Sequence, residues 1–127
     1  MTNTDSKETK DGIPALYAKT NEEWREWLSK NCQSEKAVLL IIYHKKSNAP
    51  GIQYNEAIEG ALCYGWIDSK ANKRDEESFY LKFTPRSPKS KWSKPNRERV
   101  ARVVEQGLMT PYGQALIDLA KNTGKWE

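Results

Sequence analysis

The sequence predicts one α+β domain, a small mixed β-sheet packed by about four helices in the order α-β-α-β-β-α-α. Three observations carry this expectation. The chain has 127 residues, the size of one ordinary domain and too short for two. Apolar residues recur at helical spacing in four windows, whereas three others read as strands, one by continuous apolarity and one by strict alternation. Finally, 37% hydrophobic and 30% charged residues describe a polar chain, whose five Trp and six Tyr must serve as large apolar anchors.

Residues 1–12 contain no apolar residue except Met1, which predicts a disordered tail and a domain spanning 13–127. Ile13 to Tyr17 can lay a short apolar segment against the body. Thr20-Asn-Glu-Glu23 is a capping-box pattern, with Thr20 accepting from the Glu23 amide and Glu23 reaching back. Trp24, Trp27 and Leu28 follow at helical spacing, so the first helix is expected to bury both indoles and to end near Asn31. Residues 37–43, Ala-Val-Leu-Leu-Ile-Ile-Tyr, form a continuous β-branched run that reads as a central strand covered on both faces.

Tyr54, Ala57, Ile58, Ala61 and Leu62 mark a second amphipathic helix, and Gly65 stands where a left-handed C-cap belongs. Residues 66–68 and the alternating stretch 79–84 predict two antiparallel strands joined by a polar loop over 69–78, with Phe79, Leu81 and Phe83 facing the core. Pro85 and Pro88 stiffen the basic loop that follows. Ser93 is the expected N-cap of a third helix carrying Val100, Val103 and Val104. Thr110-Pro111, a cap followed by Pro at the first helical position, opens the fourth helix.

Two cysteines, Cys32 and Cys63, and one histidine, His44, leave no material for a disulfide framework or a zinc cluster. No metal and no cofactor are expected. No apolar run approaches the ~20 residues that span a bilayer, and the first residues lack the basic and apolar regions of a secretory signal. Together these predict a cytoplasmic chain with reduced thiols. Net charge is +4, yet residues 82–102 carry eight basic side chains against Glu98 alone. That +7 stretch is the footprint of an anionic partner.

Several motifs together resemble a known family. Trp24-x-x-Trp27-Leu28 and Glu56-Ala57 lead to Ala61-Leu62-Cys63-Tyr64-Gly65-Trp66-Ile67-Asp68. A second block reads Phe83-Thr84-Pro85-Arg86-x-Pro88-Lys89-Ser90-x-Trp92-Ser93-Lys94-x-Asn96, and Gly107-x-Met109-Thr110-Pro111-x-Gly113 closes the pattern. Over residues 20–126 the chain resembles the bacterial YdeI/OmpD-associated family, whose domain is also labelled bacteriocin protection. Gln53 departs from the pattern, since members commonly place Ser or Thr at that helix cap. The resemblance implies a link to stress or antimicrobial-peptide tolerance and transfers no catalytic residue.

The residues themselves nominate a site. Arg86, Ser90, Lys91 and Ser93 gather cations and hydroxyls in a Pro-stiffened loop that runs into a helix N-terminus, a setting suited to an anion. Trp66 and Trp92 adjoin it as walls or as core anchors. Asp68, at the end of an apolar segment, is expected to help shape this ligand site and to pair with Arg86. Cys63 reads as a structural thiol with no cation at helical spacing to activate it, and His44 receives no role. The leading expectation is a non-enzymatic binding domain for an anionic small molecule or an acidic protein surface. A nucleic-acid partner held along 82–102 and a small enzyme using Asp68 and Arg86 are the alternatives.

Overall fold

The computed structural model describes residues 8–126. Its element order is β1 (Thr9–Lys10), β2 (Ile13–Leu16), α1 (Asn21–Asn31), β3 (Val38–Tyr43), α2 (Tyr54–Cys63), β4 (Trp66–Lys73), β5 (Ser78–Pro85), α3 (Lys94–Glu105) and α4 (Pro111–Asn122). The five strands form one sheet in the order β1-β2-β3-β5-β4. β2 runs parallel to β3 and every other pairing is antiparallel, so the sheet is mixed. The predicted α+β class holds, with β3 at the centre.

Alternation along the strands divides the core in two. Val38, Leu40, Ile42, Leu81 and Phe83 point to the face covered by the helices, where Trp24, Leu28, Ile58, Leu62 and Ile117 meet them. Leu39, Ile41 and Tyr80 point the other way and pack with Ile13, Ala15, Tyr17 and Tyr43, a cluster without a helical residue among the described ones. β3 is therefore buried on both faces, as its unbroken apolar run requires, but by different partners. Trp24 is fully buried and its Nε1 donates to the Ala57 carbonyl at 2.9 Å. Trp27, expected to be buried like Trp24, is only half-buried; it stacks on Trp24 and meets the Trp66 ring edge-on.

Four local expectations change. Of the tail expected over 1–12, residues 1–7 lie outside the described residues, whereas Thr9 and Lys10 form β1 of the sheet and the Glu8 carbonyl accepts from the Ala15 amide. Asp11 and Gly12, both at positive φ, form a two-residue hairpin turn between Lys10 and Ile13. The loop expected over 69–78 is strand as far as Lys73, because a bulge between Asp68 and Lys70 restores the pairing with β5. At α1, Thr20 accepts from the Glu23 amide as predicted, but the Glu23 carboxylate reaches one residue further, to the Lys19 amide. At α4, the Thr110 hydroxyl does not cap its own helix; it donates to the Cys63 carbonyl at the end of α2.

The N-terminal hairpin is locked by a polar cluster that composition could not reveal. Glu8 receives two hydrogen bonds from Arg74, at 2.8 and 3.0 Å, and a third from the Tyr80 hydroxyl. Arg74 donates further to Tyr43 and Ser78. A bidentate guanidinium–carboxylate pair of this kind fixes geometry as well as charge. It ties residues far apart in sequence across the helix-free face of the sheet.

Candidate functional site

β4 leaves α2 through Gly65, whose φ of 79° supplies the left-handed turn predicted at this position. β5 runs back beside it, so that Pro85 lies opposite Trp66 and the Arg86 amide donates to the Gly65 carbonyl at 2.8 Å. Arg86 thus emerges where α2, β4 and β5 converge. It is 8% exposed, the one Arg or Lys buried to this degree among the described residues.

Its surroundings are mostly apolar. The guanidinium carbon lies 3.9 Å from the Trp92 ring centroid, and Trp92 in turn packs on Trp126. One guanidinium N–H bond donates to the Lys91 carbonyl at 3.0 Å, while the buried Nε has no partner. No carboxylate lies within ion-pair distance among the described residues. Burial pulls the Arg86 guanidinium below its ordinary range, since desolvation disfavours the charged form. A guanidinium has five N–H donors, so a cation largely removed from water and without a counter-charge among the described residues has capacity to spare for an anion.

Beside it a cavity of about 330 Å³ opens to the surface. Arg86 and Pro85 line one side, Tyr64 and Trp66 the floor of the α2–β4 junction, and Tyr112 and Leu116 the first turns of α4. A larger space of about 480 Å³ lies at the N-terminal hairpin, but its charged wall contains Glu8 and Arg74, which already satisfy each other. Among the described cavities, the Arg86 cavity is the one lined by a buried cation.

The expected Asp68–Arg86 pair is not formed. The ladder sets Asp68 opposite Phe83 and Arg86 beside Gly65, a stagger of three residues or roughly 10 Å along the strand. Asp68 instead meets the Tyr54 hydroxyl at 3.5 Å. Burial and the Asp68 charge raise the Tyr54 phenol above its ordinary value. With no shared partner, Asp68→Asn and Arg86→Met should change stability additively within about 0.5 kcal/mol. Chemical denaturation of the two single variants and the double variant measures this, and an interaction above 1 kcal/mol would restore the pair.

The other nominated residues divide. Trp66 lines the cavity but is a core anchor, 1% exposed, donating through Nε1 to the Cys32 carbonyl. Trp92 is the buried platform on which Arg86 lies, not a cavity wall. Ser93 spends its hydroxyl on the Asn96 amide as the α3 cap, and Ser90 donates to the Ser87 carbonyl. Lys91 offers Arg86 its carbonyl while the residue itself is exposed. Sequence reasoning missed Tyr64, Tyr112 and Leu116. No periodicity or motif in the sequence brings the Tyr64-Gly65-Trp66 turn beside the helix start at Thr110-Pro111, because their meeting is set by how α4 packs on α2.

The charge-rich stretch is dispersed as well. Arg97 donates to the Trp92 carbonyl, Arg99 to Asn55 and Asn96, and Arg102 pairs with Glu59. Both cysteines are free and buried. Burial pushes the Cys63 thiol up, and a hydrogen bond from Arg25, which reaches it from α1 rather than along its own helix, pulls less strongly the other way. No group able to hold a metal ion occurs among the described residues, and no described helix is long and apolar enough to cross a membrane.

A family model described as a domain of unknown function (DUF8412) matches residues 16–116. The chain belongs to this family. The DUF8412 match takes in the α2–β4 junction, Arg86 and the first two turns of α4, and so every wall of the cavity. No curated protein and no solved structure matches the chain.

Proposed function

We propose that this protein is a cytoplasmic, non-enzymatic binding domain that holds a compact anionic group at Arg86. The observation that carries the reading is Arg86 itself, a buried residue that lines an open cavity, its guanidinium without a carboxylate partner among the described residues and its Nε without a hydrogen bond. Such a cation lowers stability in the empty protein and gains its counter-charge only when an anion arrives. The resemblance of the central motifs to the YdeI/OmpD-associated family links this binding to stress or antimicrobial-peptide tolerance. Direct capture of cationic peptides is disfavoured by like charge.

Two features argue against the alternatives. A nucleic-acid stripe over 82–102 needs free cations in register, whereas Arg86 is buried and Arg97, Arg99 and Arg102 are engaged within the fold. An enzyme built on Asp68 and Arg86 needs the two groups together, and the β4–β5 register separates them.

The test compares wild type with Arg86→Met in thermal melts across a panel of sodium salts of compact anions. Without anion the variant should melt within a few degrees of wild type. It loses the contact with Trp92 and one charged hydrogen bond, but it also sheds the desolvation cost of a buried ion. A saturating anion at one hundred times its Kd should stabilise wild type by about 2.7 kcal/mol and leave the variant unchanged. Equal responses of both proteins to every anion would refute the site. Submicromolar, sequence-tolerant duplex DNA binding at 150 mM salt would favour the nucleic-acid reading instead.

A further inference from the structure

Resting on the anion reading of Arg86, we infer that its ligand is a monocarboxylate carried on an apolar body, such as an aryl- or alkyl-carboxylic acid. Charge decides the head group. Arg86 is the single charged side chain among the described residues lining the cavity, so the site offers one positive charge. A carboxylate brings one negative charge and a planar pair of oxygens that match the guanidinium fork. A phosphate monoester brings about −1.5 to −2 at neutral pH, and the excess would remain uncompensated against apolar walls.

The backbone points the same way. Phosphate sites commonly present a run of free amides at a helix N-terminus or a glycine-rich loop. Here the first turn of α4 begins with Pro111, which has no N–H, and Gly113 is pressed against the Leu62 and Cys63 carbonyls.

The walls decide the body. Tyr64, Trp66, Pro85, Tyr112 and Leu116 surround Arg86 with rings and aliphatic surface. The volume of about 330 Å³ is at the small end of ligand pockets, room for one ring or a short alkyl chain. Gln33 and the hydroxyls of Tyr64 and Tyr112 are the side-chain amide and hydroxyl groups among the described lining residues, too few to recognise a polyhydroxylated ligand. A carboxylate on an apolar body can come from a free small acid or from the C-terminal residue of a peptide, and the two present the same atoms here.

The experiment is isothermal titration of the full chain and two variants, Arg86→Met and Leu116→Gln, with five probes. These are 3-phenylpropanoate, acetate, phenyl phosphate, the neutral 3-phenylpropanol, and N-acetyl-Gly-Phe with a free C-terminus. Wild type should bind 3-phenylpropanoate at least tenfold tighter than acetate, phenyl phosphate or the alcohol. Arg86→Met should abolish that preference over the alcohol. Leu116→Gln, which keeps the cation, should weaken 3-phenylpropanoate several-fold and leave acetate unchanged. Tighter binding of the dipeptide than of 3-phenylpropanoate assigns the carboxylate to a peptide terminus, and the reverse assigns it to a free acid. If phenyl phosphate or acetate binds wild type as well as 3-phenylpropanoate and is lost in Arg86→Met, the anion site stands and the apolar-carboxylate inference falls. If no anion distinguishes wild type from Arg86→Met, the anion site itself falls.

Discussion

Gly113→Ala should destabilise the protein by about 3 kcal/mol, even though alanine is the better helix former by about 1 kcal/mol. Gly113 lies in the first turn of α4, where the helix crosses the end of α2. A Cβ there would overlap the Leu62 carbonyl oxygen and stand 2.7 Å from the Cys63 oxygen and the Met109 sulfur. The sulfur can rotate away, but the two carbonyl oxygens belong to the main chain of α2 and cannot. Relief therefore requires α4 to move as a body, which disturbs Ile117 and Ala120 in the core and the hydrogen bond from Thr110 to Cys63. The melting temperature should fall by roughly 10 °C. Ala115→Gly, at an exposed position of the same helix, provides the contrasting sign: it should cost about 1 kcal/mol by propensity alone. A Gly113→Ala protein that melts as high as wild type would mean that α4 and α2 are not in this close contact. Because Tyr112 and Leu116 line the Arg86 cavity, the same substitution should also weaken anion binding.

Arg74→Met should cost a similar amount, about 3 kcal/mol, because it removes the guanidinium from Glu8 and leaves that carboxylate partly buried. The side chains of Arg74 and Glu8 are 22% and 29% exposed, which sets the effect below that of a fully buried pair and above that of a surface pair. A double-mutant cycle with Glu8→Gln should return a coupling of about 1–2 kcal/mol, and strict additivity would remove the pair from the account. pH provides an independent readout. The hydrogen bonds from Arg74, and to a lesser degree from Tyr80, hold the Glu8 carboxyl below its ordinary value despite the opposing effect of burial. A carboxyl depressed in the folded state contributes stability above its unfolded pKa of about 4.3 and loses it as pH falls through the folded value. Wild type should therefore lose stability more steeply than Glu8→Gln below about pH 4.5. Parallel acid limbs would exclude a role for Glu8 in that loss. Removal of residues 1–12 should likewise lower the melting temperature by several degrees, since it deletes β1 and Glu8 together.

Much of the fold is legible because its elements are specified by short-range chemistry. The apolar run at 37–43 has the length and β-branched content of a strand buried on both faces, which β3 is from Val38 onward, and the spacing of Ala57, Ile58, Ala61 and Leu62 is that of one helix face. Thr20 and Ser93 take the caps predicted for them, because N-capping depends on an amide only three residues away. The N-terminal hairpin escaped for the opposite reason. Its turn signal, Asp11-Gly12, is plain in the sequence, but a two-residue strand without apolar residues carries no periodicity, and its anchor is Arg74.

The candidate site divides along the same line. By itself the sequence determined that Arg86 stands in a stiff, Pro-flanked loop beside Trp92, that cations concentrate in 82–102, and that Gly65 turns the chain between α2 and β4. It did not determine which of those cations would be buried, nor what each would meet. The distance between Asp68 and Arg86 depends on the register of β4 against β5, which a bulge beyond Asp68 helps to set. Thr110 has the cap residue's chemistry, yet its hydroxyl goes to Cys63 because α4 abuts the end of α2. Tertiary structure alone decided that Arg86 lies on Trp92 with no carboxylate partner among the described residues and lines a cavity whose other walls include Tyr64 and the first turns of α4. The physical reason is one of range: capping and periodicity are fixed within a turn or two of the chain, whereas burial and the pairing of a charge depend on surfaces that meet only when distant segments pack.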